Sequence, residues 1–277
     1  MQGPQARMLD ARRLHLNHGP IDLIAEAWGK DQKQALKQAQ DRFQSILTSL
    51  VDELELLRKP LNGEYPSGPV AKRMTNAVAL FDGFVTPMAA VAGAVADEIC
   101  VSMCQGCRLE RAYVNNGGDI AVYLDKGQTL NAAIPGLGQV LLSSEHPARG
   151  VATSGWRGRS HSLGIADAVT VLAKTAATAD VAATLIANAV NLADHAGISR
   201  KPAHDLQPDS DLGAQLVTVG VGALSPHETQ HALEGGKQVA QQFLQKGHIT
   251  AAALFLNDQS SLTEGFPSLE ETDPLHS

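Results

Sequence analysis

Apolar residues recur at intervals of three and four positions between residues 31 and 58, the spacing that places them on one face of an α-helix. Pro60 predicts where this helix ends, because proline cannot continue a helix. Two more helices are predicted in "SGPVAKRMTNAVALF" and "PMAAVAGAVADEICVSM". Pro87 opens the second of these at a first-turn position, which proline tolerates. The apolar positions of the first helix are Ala35, Ala39, Phe43, Ile46, Leu47, Leu50, Leu54 and Leu57.

The remaining segments have the alternation and the short lengths of β-strands. "RRLHLNHGPIDLIAEAW" alternates on both sides of His18-Gly19-Pro20, which predicts an N-terminal hairpin with its turn there. After Arg108 six short strands are predicted in close succession, an order that favours an antiparallel sheet over β-α-β units. They are "RAYVNN", "DIAVYL", "QTLNAAI", "GQVLLSS", "GVATSG" and "DAVTVLA".

The last third of the chain is predicted to alternate helices and strands. "TAATADVAATLIANAVNLADHAG" predicts a helix and "AQLVTVGVGAL" a strand. "SPHETQHALEGGKQVAQQFLQKG" predicts a helix interrupted by Gly235-Gly236, and "HITAAALFLN" a last strand. The fold class expected is therefore α+β, a mostly antiparallel sheet packed with helices.

Length and polarity set the expected domain organisation. The chain has 277 residues, and a single hydrophobic core rarely serves many more than ~250 residues. Residues 1–257 are expected to form one domain, either a single body or two lobes that share one core. Residues 258–277 are polar and are expected to form a flexible tail.

Charge and hydropathy exclude two classes of partner. The formal net charge is −7, so nothing in the bulk electrostatics recruits nucleic acid or an anionic membrane. The N-terminus lacks the apolar stretch of a secretory signal, which predicts a cytoplasmic protein. Asp97 and Glu98 interrupt the most apolar segment, which is therefore predicted to be a buried helix and not a membrane span. The sequence is compatible with a homo-oligomer.

Three cysteines, Cys100, Cys104 and Cys107, have a C-x3-C-x2-C spacing that is also found in iron–sulfur loops. Cys100 and Cys104, however, lie four residues apart in a predicted helix, where they share one face. Reduced cysteine is a common small core residue. Helix packing is the favoured interpretation, and a cluster is the alternative.

The junction "VNNGGDI" joins two predicted strands. Asn-Gly is a favoured hairpin dipeptide, so a simple turn is one interpretation of Asn116 to Asp119. The other is a ligand-binding loop, because Gly117 and Gly118 can adopt positive φ and let a ligand approach the backbone closely.

Two further stretches carry candidate chemistry. Asp180 and Thr184 are four apart in a predicted helix, so a carboxylate and a hydroxyl share one face. These hard oxygens suit Mg²⁺ or Ca²⁺, although a helix cap or a solvated face is the alternative. In "ATSGWRGRSH", Arg157 and Arg159 follow a glycine turn, where they either hold a phosphate or are solvated surface residues. Gly220 and Gly222 in "VGVGAL" lack the third glycine of a dinucleotide fingerprint.

Taken together and in order, these stretches resemble the ApbE family of flavin transferases. The matching segments are "TPMAAVAGAVADE", "VNNGGDI", "VATSG", a following histidine, "DAVTV" and "ADVAAT". Nearly the whole chain takes part, and the resemblance is strongest to an uncharacterised branch that has no signal peptide. Members of the family move an FMN group from FAD onto a threonine of a partner protein.

The resemblance implies a small-molecule nucleotide, FAD or FMN, as ligand, Mg²⁺ as metal, and a protein as recipient of FMN. Asp180 and Thr184 would be metal ligands, with a backbone carbonyl near residues 91–93. His161 would lie near the reacting phosphates as the catalytic residue. The implied nucleotide contacts are Asn116, Gly117, Gly118, Asp119, Thr153, Ser154 and Gly155.

Two departures from the family pattern bear on activity. Ala92 stands beside Gly93 where the transferases have a lysine, so one pyrophosphate contact is missing. The chain also passes almost directly from His161 to the next strand, without the longer insertion of the family. Two functions therefore stay open: Mg²⁺-dependent transfer or cleavage of a flavin nucleotide, and a non-catalytic nucleotide-binding or scaffolding protein with the same fold.

Overall fold

A computed structural model describes residues 3–270, which form fourteen β-strands and eight α-helices. The strands are β1 Gln5–Met8, β2 Arg13–His18, β3 Ile21–Gly29, β4 Leu109–Asn116, β5 Asp119–Leu124, β6 Thr129–Ile134, β7 Gly138–Ser143, β8 Gly150–Ser154, β9 Ala168–Ala173, β10 Ile198–Pro202, β11 Leu216–Val221, β12 Ala251–Leu256, β13 Gln259–Leu262 and β14 Leu269–Glu270. The helices are α1 Gln32–Phe43, α2 Ile46–Asp52, α3 Leu54–Leu57, α4 Pro69–Val78, α5 Val91–Cys104, α6 Ala176–Ala189, α7 Ala203–Leu206 and α8 Pro226–Gln245. A 3₁₀ turn, Pro87–Ala90, precedes α5.

Nine strands form one sheet in the order β1-β2-β3-β4-β5-β8-β9-β12-β13. Every neighbouring pair in it is antiparallel. The predicted α+β class with a mostly antiparallel sheet is therefore confirmed. Two small sheets, β10-β11 and β14-β7-β6, complete the described residues.

The sheet is covered on both faces at its centre, and strand β9 shows this most clearly. All six residues of β9 are buried. Val169 and Val171 pack into the large core shared with α5 and α6, whereas Leu172 packs into a second core beneath β6 and β7. Because side chains alternate across a strand, a layer on each face is what buries the whole strand.

Helices α5 and α6 are in unusually close contact. A Cβ on Gly93 would lie 2.3 Å from the carbonyl oxygen of Ala176, so only glycine permits this approach. One turn further along α5, the Asp97 carboxylate accepts the N–H groups of Ala176 and Ala177 at 3.0 and 2.9 Å. It thereby satisfies two of the free donors at the start of α6. Burial raises the pKa of Asp97.

The region predicted as one helix over 31–58 consists of α1, α2 and α3. Ser45 and Glu53 interrupt it, with φ values of −109° and −111°. The Glu53 carboxylate accepts the N–H of Ser67 at 2.6 Å. The residue at this break therefore connects the helical segment to the chain just before α4.

The opposite difference occurs in α8, which continues through Gly235 and Gly236, although the sequence predicts an interruption there. Packing explains the continuity. A Cβ on Gly236 would lie 2.3 Å from a Val190 side-chain carbon and 2.7 Å from one of Leu254. The glycine gives up some helix propensity and allows α8 to lie close against the core.

The segment Pro87–Cys104 is long and apolar enough to cross a membrane by length and composition alone. In this structure it lies between other elements, with 56% of its residues buried. Its position in the fold matches the buried helix expected there.

The C-terminal region contains more structure than its polar sequence suggests. A flexible tail is expected from residue 258 onward, yet β13 pairs with β12 and β14 pairs with β7. Backbone hydrogen bonds to existing strands hold these segments, which need no apolar pattern of their own. Residues 271–277 of the predicted tail lie outside the described residues.

Candidate functional site

A cleft of about 280 Å³ lies where the start of α5, the β4–β5 turn and α6 meet. Four side chains singled out from the sequence line it, and they come from three separate parts of the chain. They are Asp119, His161, Asp180 and Thr184. A loop over residues 207–212, which the sequence places in a polar, proline-containing stretch, forms another wall.

The junction at residues 115–119 is a two-residue hairpin turn that also shapes the cleft. Gly117 and Gly118 have φ values of +69° and +112°, and the Asn115 side chain accepts the N–H of Gly118 at 2.9 Å. Asn116 is buried and donates its side-chain N–H to the carbonyl oxygen of Ala92 at 3.1 Å. This bond fixes the turn against the start of α5, so Asp119 is held at the cleft wall.

Asp119 and Asp180 are acidic neighbours in the cleft. Burial raises the pKa of Asp119 to about 7, opposed by the Thr153 N–H and by the positive charge of Arg159. Burial also raises the pKa of Asp180 well above its usual range, and the nearby Asp119 charge adds to this shift. Gly93 donates its N–H to Asp180 at 3.0 Å, which favours the charged form. The pair therefore forms a site where negative charge lacks full compensation.

Thr184 follows Asp180 by one turn of α6, and both residues line the cleft. The alternative in which Asp180 caps a helix is wrong, because α6 begins at Ala176 and its N-cap is Thr175. The Thr175 hydroxyl accepts the N–H of Thr178 at 3.1 Å. Asp180 is thus free of a capping role.

The stretch "ATSGWRGRSH" divides into a structural part and a cleft part. The hydroxyls of Thr153 and Thr170 are 2.8 Å apart on neighbouring strands. A Cβ on Gly155 would lie 2.3 Å from the carbonyl oxygen of Asp167. Thr153, Ser154 and Gly155 do not line the cleft, although the Thr153 N–H bonds to Asp119.

The two arginines of this stretch have different surroundings. Arg157 pairs with Asp167 at 2.6 Å and lies over the Trp156 ring, 4.5 Å from its centre. Arg159 and His161 both line the cleft.

Three cleft residues could not be identified from local sequence patterns. Arg58, at the end of α3, pairs with Asp209 through a 2.6 Å contact. The hydroxyl of Thr86 donates to Asp211 at 2.5 Å. Arg58 shows no feature beyond its charge in the sequence, and Asp209 and Asp211 lie in a polar, proline-containing loop that has no recognisable motif.

The chemistry of these side chains fits a hard divalent cation. Two carboxylates and a hydroxyl offer the oxygen ligands that Mg²⁺ prefers, and a cation would relieve the repulsion between Asp119 and Asp180. Within residues 3–270 no group of three or more His, Cys, Asp or Glu side chains is placed to hold a metal. A cation here would therefore also need the Thr184 hydroxyl, backbone carbonyls, water or the ligand itself.

The cysteines lie apart from this cleft. Cys100 and Cys104 are both in α5, and Cys100 is buried, as helix packing predicts. The Cys107 thiol donates to the side-chain oxygen of Gln38 at 2.8 Å.

Comparisons with known proteins place the chain in a family. The family model described as "AbpE bacteria" matches residues 5–262. A "UPF0280 protein" of Methanothrix thermoacetophila is 40% identical over 128 residues, which cover 44% of this chain and 52% of the relative. Another, of Methanobrevibacter smithii, is 32% identical over 187 residues, covering 65% of this chain and 77% of the relative. The chain thus spans about half the length of the first relative.

Among solved structures, the apo crystal structure of the Pseudomonas stutzeri flavinyl transferase ApbE is similar over 95% of both chains. Its TM-score is 0.44 and its sequence identity 12%. The family model, by contrast, extends over nearly all of the described residues. The protein therefore belongs to the ApbE-like family described as AbpE bacteria.

Proposed function

We propose that this protein binds a flavin nucleotide with Mg²⁺ in the cleft and acts on the pyrophosphate bond of FAD. One observation carries the proposal: Asp119, His161, Asp180 and Thr184, scattered over more than sixty residues, line the same cleft. Membership of the ApbE-like family is the reason for proposing a flavin nucleotide as the ligand.

Asp180 and Thr184 are the residues that would hold Mg²⁺ in this proposal. Their carboxylate and hydroxyl oxygens share one face of α6, and the carbonyls of residues 91–93 lie at the adjoining start of α5. When bound, a divalent cation neutralises charge on phosphate oxygens. Asp119, next to Asp180, strengthens the attraction for such a cation.

His161 is proposed to handle the proton of the reaction. The oxygen of an acceptor hydroxyl, either a protein threonine or water, forms a bond to the phosphorus of the FMN half. The bond between that phosphorus and the bridging oxygen breaks, and AMP leaves. The imidazole of His161 takes the acceptor's proton and so acts as the general base.

Product analysis tests this function. Incubation of the purified protein with FAD and Mg²⁺ should release AMP and FMN, and chelation of the metal should stop the reaction. His161→Asn should retain FAD binding and lose at least about 100-fold in rate, because general-base catalysis typically contributes that much.

The alternative is a nucleotide-binding protein without transfer chemistry. Ala92, which stands where the transferases carry a lysine, is the observation that favours it. FAD binding without AMP release, even with added protein acceptors, would support this alternative. Failure to bind FAD or FMN with Mg²⁺ would contradict both functions.

A further inference from the structure

We propose that Arg159 binds the phosphate oxygens of the ligand and replaces the cationic contact that is missing at Ala92. This inference rests on the proposed function, because it assigns a residue of the same cleft to the pyrophosphate of the nucleotide. It predicts that affinity for the pyrophosphate group, and not for the flavin ring, depends on the Arg159 side chain.

The arginines near the cleft differ in what their charge already contacts. Arg58 lines the cleft, but Asp209 is 2.6 Å from its guanidinium. Arg157 is two residues from Arg159 but pairs with Asp167 and lies outside the cleft. Among residues 3–270, Arg159 has neither a carboxylate within ion-pair distance nor a hydrogen-bond partner. Its planar set of five donors is therefore available to a ligand.

This guanidinium lies close against a glycine of the β4–β5 turn. A Cβ on Gly117 would lie 1.6 Å from the terminal nitrogen Nη2 of Arg159, so the side chain occupies space that exists only because residue 117 has no side chain. A Cβ on Gly118, the next residue of the turn, would have no neighbour within 4 Å. The β4–β5 turn therefore lies against Arg159 at Gly117 and borders open space at Gly118.

The charges around Arg159 explain why the ligand group should be a phosphate. Its positive charge acts on Asp119, which stands beside Asp180 in the cleft. A cation held by the aspartates would add its positive charge to that of the Arg159 guanidinium in the same cleft. A pyrophosphate, with charged oxygens on both phosphorus atoms, can contact both, and bidentate arginine contacts suit such oxygens.

Calorimetric titration with three probes tests the inference: inorganic pyrophosphate and FAD, each with Mg²⁺, and riboflavin, which carries no phosphate. Arg159→Met should weaken the binding of pyrophosphate and FAD by about 10- to 100-fold, the usual effect of losing a hydrogen-bonded charge, and leave riboflavin unchanged. Arg159→Lys should lose less, because it keeps the charge without the fork. Arg157→Met is the matched control and should change each affinity by no more than about twofold.

A second pair of variants tests the support of the guanidinium by the turn. Gly117→Ala should displace Arg159 and weaken pyrophosphate binding, whereas Gly118→Ala introduces no such contact. Both glycines have positive φ, so both variants strain the backbone. Thermal melting of each variant reports that shared strain, and a greater loss of binding in Gly117→Ala at equal or better stability supports the inference.

The outcomes separate the inference from the proposed function. If the wild type binds FAD with Mg²⁺ and Arg159→Met binds it equally well, the role of Arg159 is refuted and the proposed function stands. If pyrophosphate binds through Arg159 but FAD does not, the flavin assignment fails and the phosphate site stands. A wild type that binds neither pyrophosphate nor FAD refutes both. An equal loss of riboflavin affinity in Arg159→Met would refute the phosphate role and assign the residue to local folding.

Discussion

At the residue scale, the defining feature is the pair of partly buried carboxylates, Asp119 and Asp180, on one wall of the cleft. The charge of Asp119 raises the energy of the charged form of Asp180, whereas backbone N–H groups favour the charged forms of both residues and Arg159 favours that of Asp119. A binding site often accepts such an unfavourable arrangement because the ligand relieves it. The pair should therefore make the ligand-free protein sensitive to pH.

Asp119 gives a pH prediction with a definite sign. Its pKa is about 7 in the folded protein, against about 3.9 in an unfolded chain. A raised pKa means that folding favours the protonated form, so this contribution to stability is complete below about pH 4 and is lost as pH rises to about 7. The thermal midpoint of the metal-free wild type should fall across that window, and Asp119→Asn should flatten the fall.

Melting curves at several pH values between 4 and 8 provide the check. Mg²⁺ should also raise the wild-type midpoint more at pH 8 than at pH 5, because the Asp119 carboxylate, with a pKa of about 7, is charged at pH 8. Parallel profiles for wild type and Asp119→Asn would show that the Asp119 carboxyl does not titrate in this range.

Local sequence patterns identified part of the site. They missed the residues that meet only when the chain is folded. The four-residue spacing of Asp180 and Thr184 is local, so it can be recognised in the sequence alone. Arg58 and Asp209 meet only through the folded chain, across 151 positions. The family resemblance assigns Thr153 to the nucleotide, but its hydroxyl faces Thr170, and that pairing depends on the register of β8 and β9.

At the element scale, the site depends on how closely α5 and α6 approach. Gly93 allows the contact, and its N–H also donates to Asp180, so one residue links helix packing to the geometry of the cleft. Element types followed from periodicity for most of the chain. The points where helices break or continue did not follow from periodicity. They depend on Glu53 and Gly236, which act through contacts with residues distant in sequence.

Gly93→Ala should therefore destabilise the fold and weaken the site together. Its Cβ would meet backbone, the carbonyl of Ala176, so the helices must separate, at a cost of about 1–3 kcal/mol. Urea denaturation measures this cost. Gly220→Ala is the control, because the atom nearest to its Cβ would be 3.6 Å away, an ordinary contact. Equal stability of the two variants would contradict the assigned role of Gly93.

At the scale of the whole molecule, the fold brings helix and loop segments that are distant in sequence to a common cleft. Its walls include residues from Arg58 to Leu212, which are 154 positions apart. The α+β class could be predicted because strand and helix periods are local signals. The order of the nine strands and the position of the 207–212 loop could not, because they depend on pairings that one sequence does not encode locally.

The central claim is that this cleft binds a flavin nucleotide through a metal held by α6. Titration of FAD with and without Mg²⁺, on the wild type, Asp180→Ala and Thr184→Val, tests it most directly, with circular dichroism to verify folding. Mg²⁺ should tighten wild-type binding by at least about tenfold, the equivalent of 1.4 kcal/mol. Asp180→Ala should lose this enhancement, and Thr184→Val, which lacks one neutral oxygen, should lose less. FAD binding that does not depend on Mg²⁺, or an enhancement that survives in Asp180→Ala, would contradict the account.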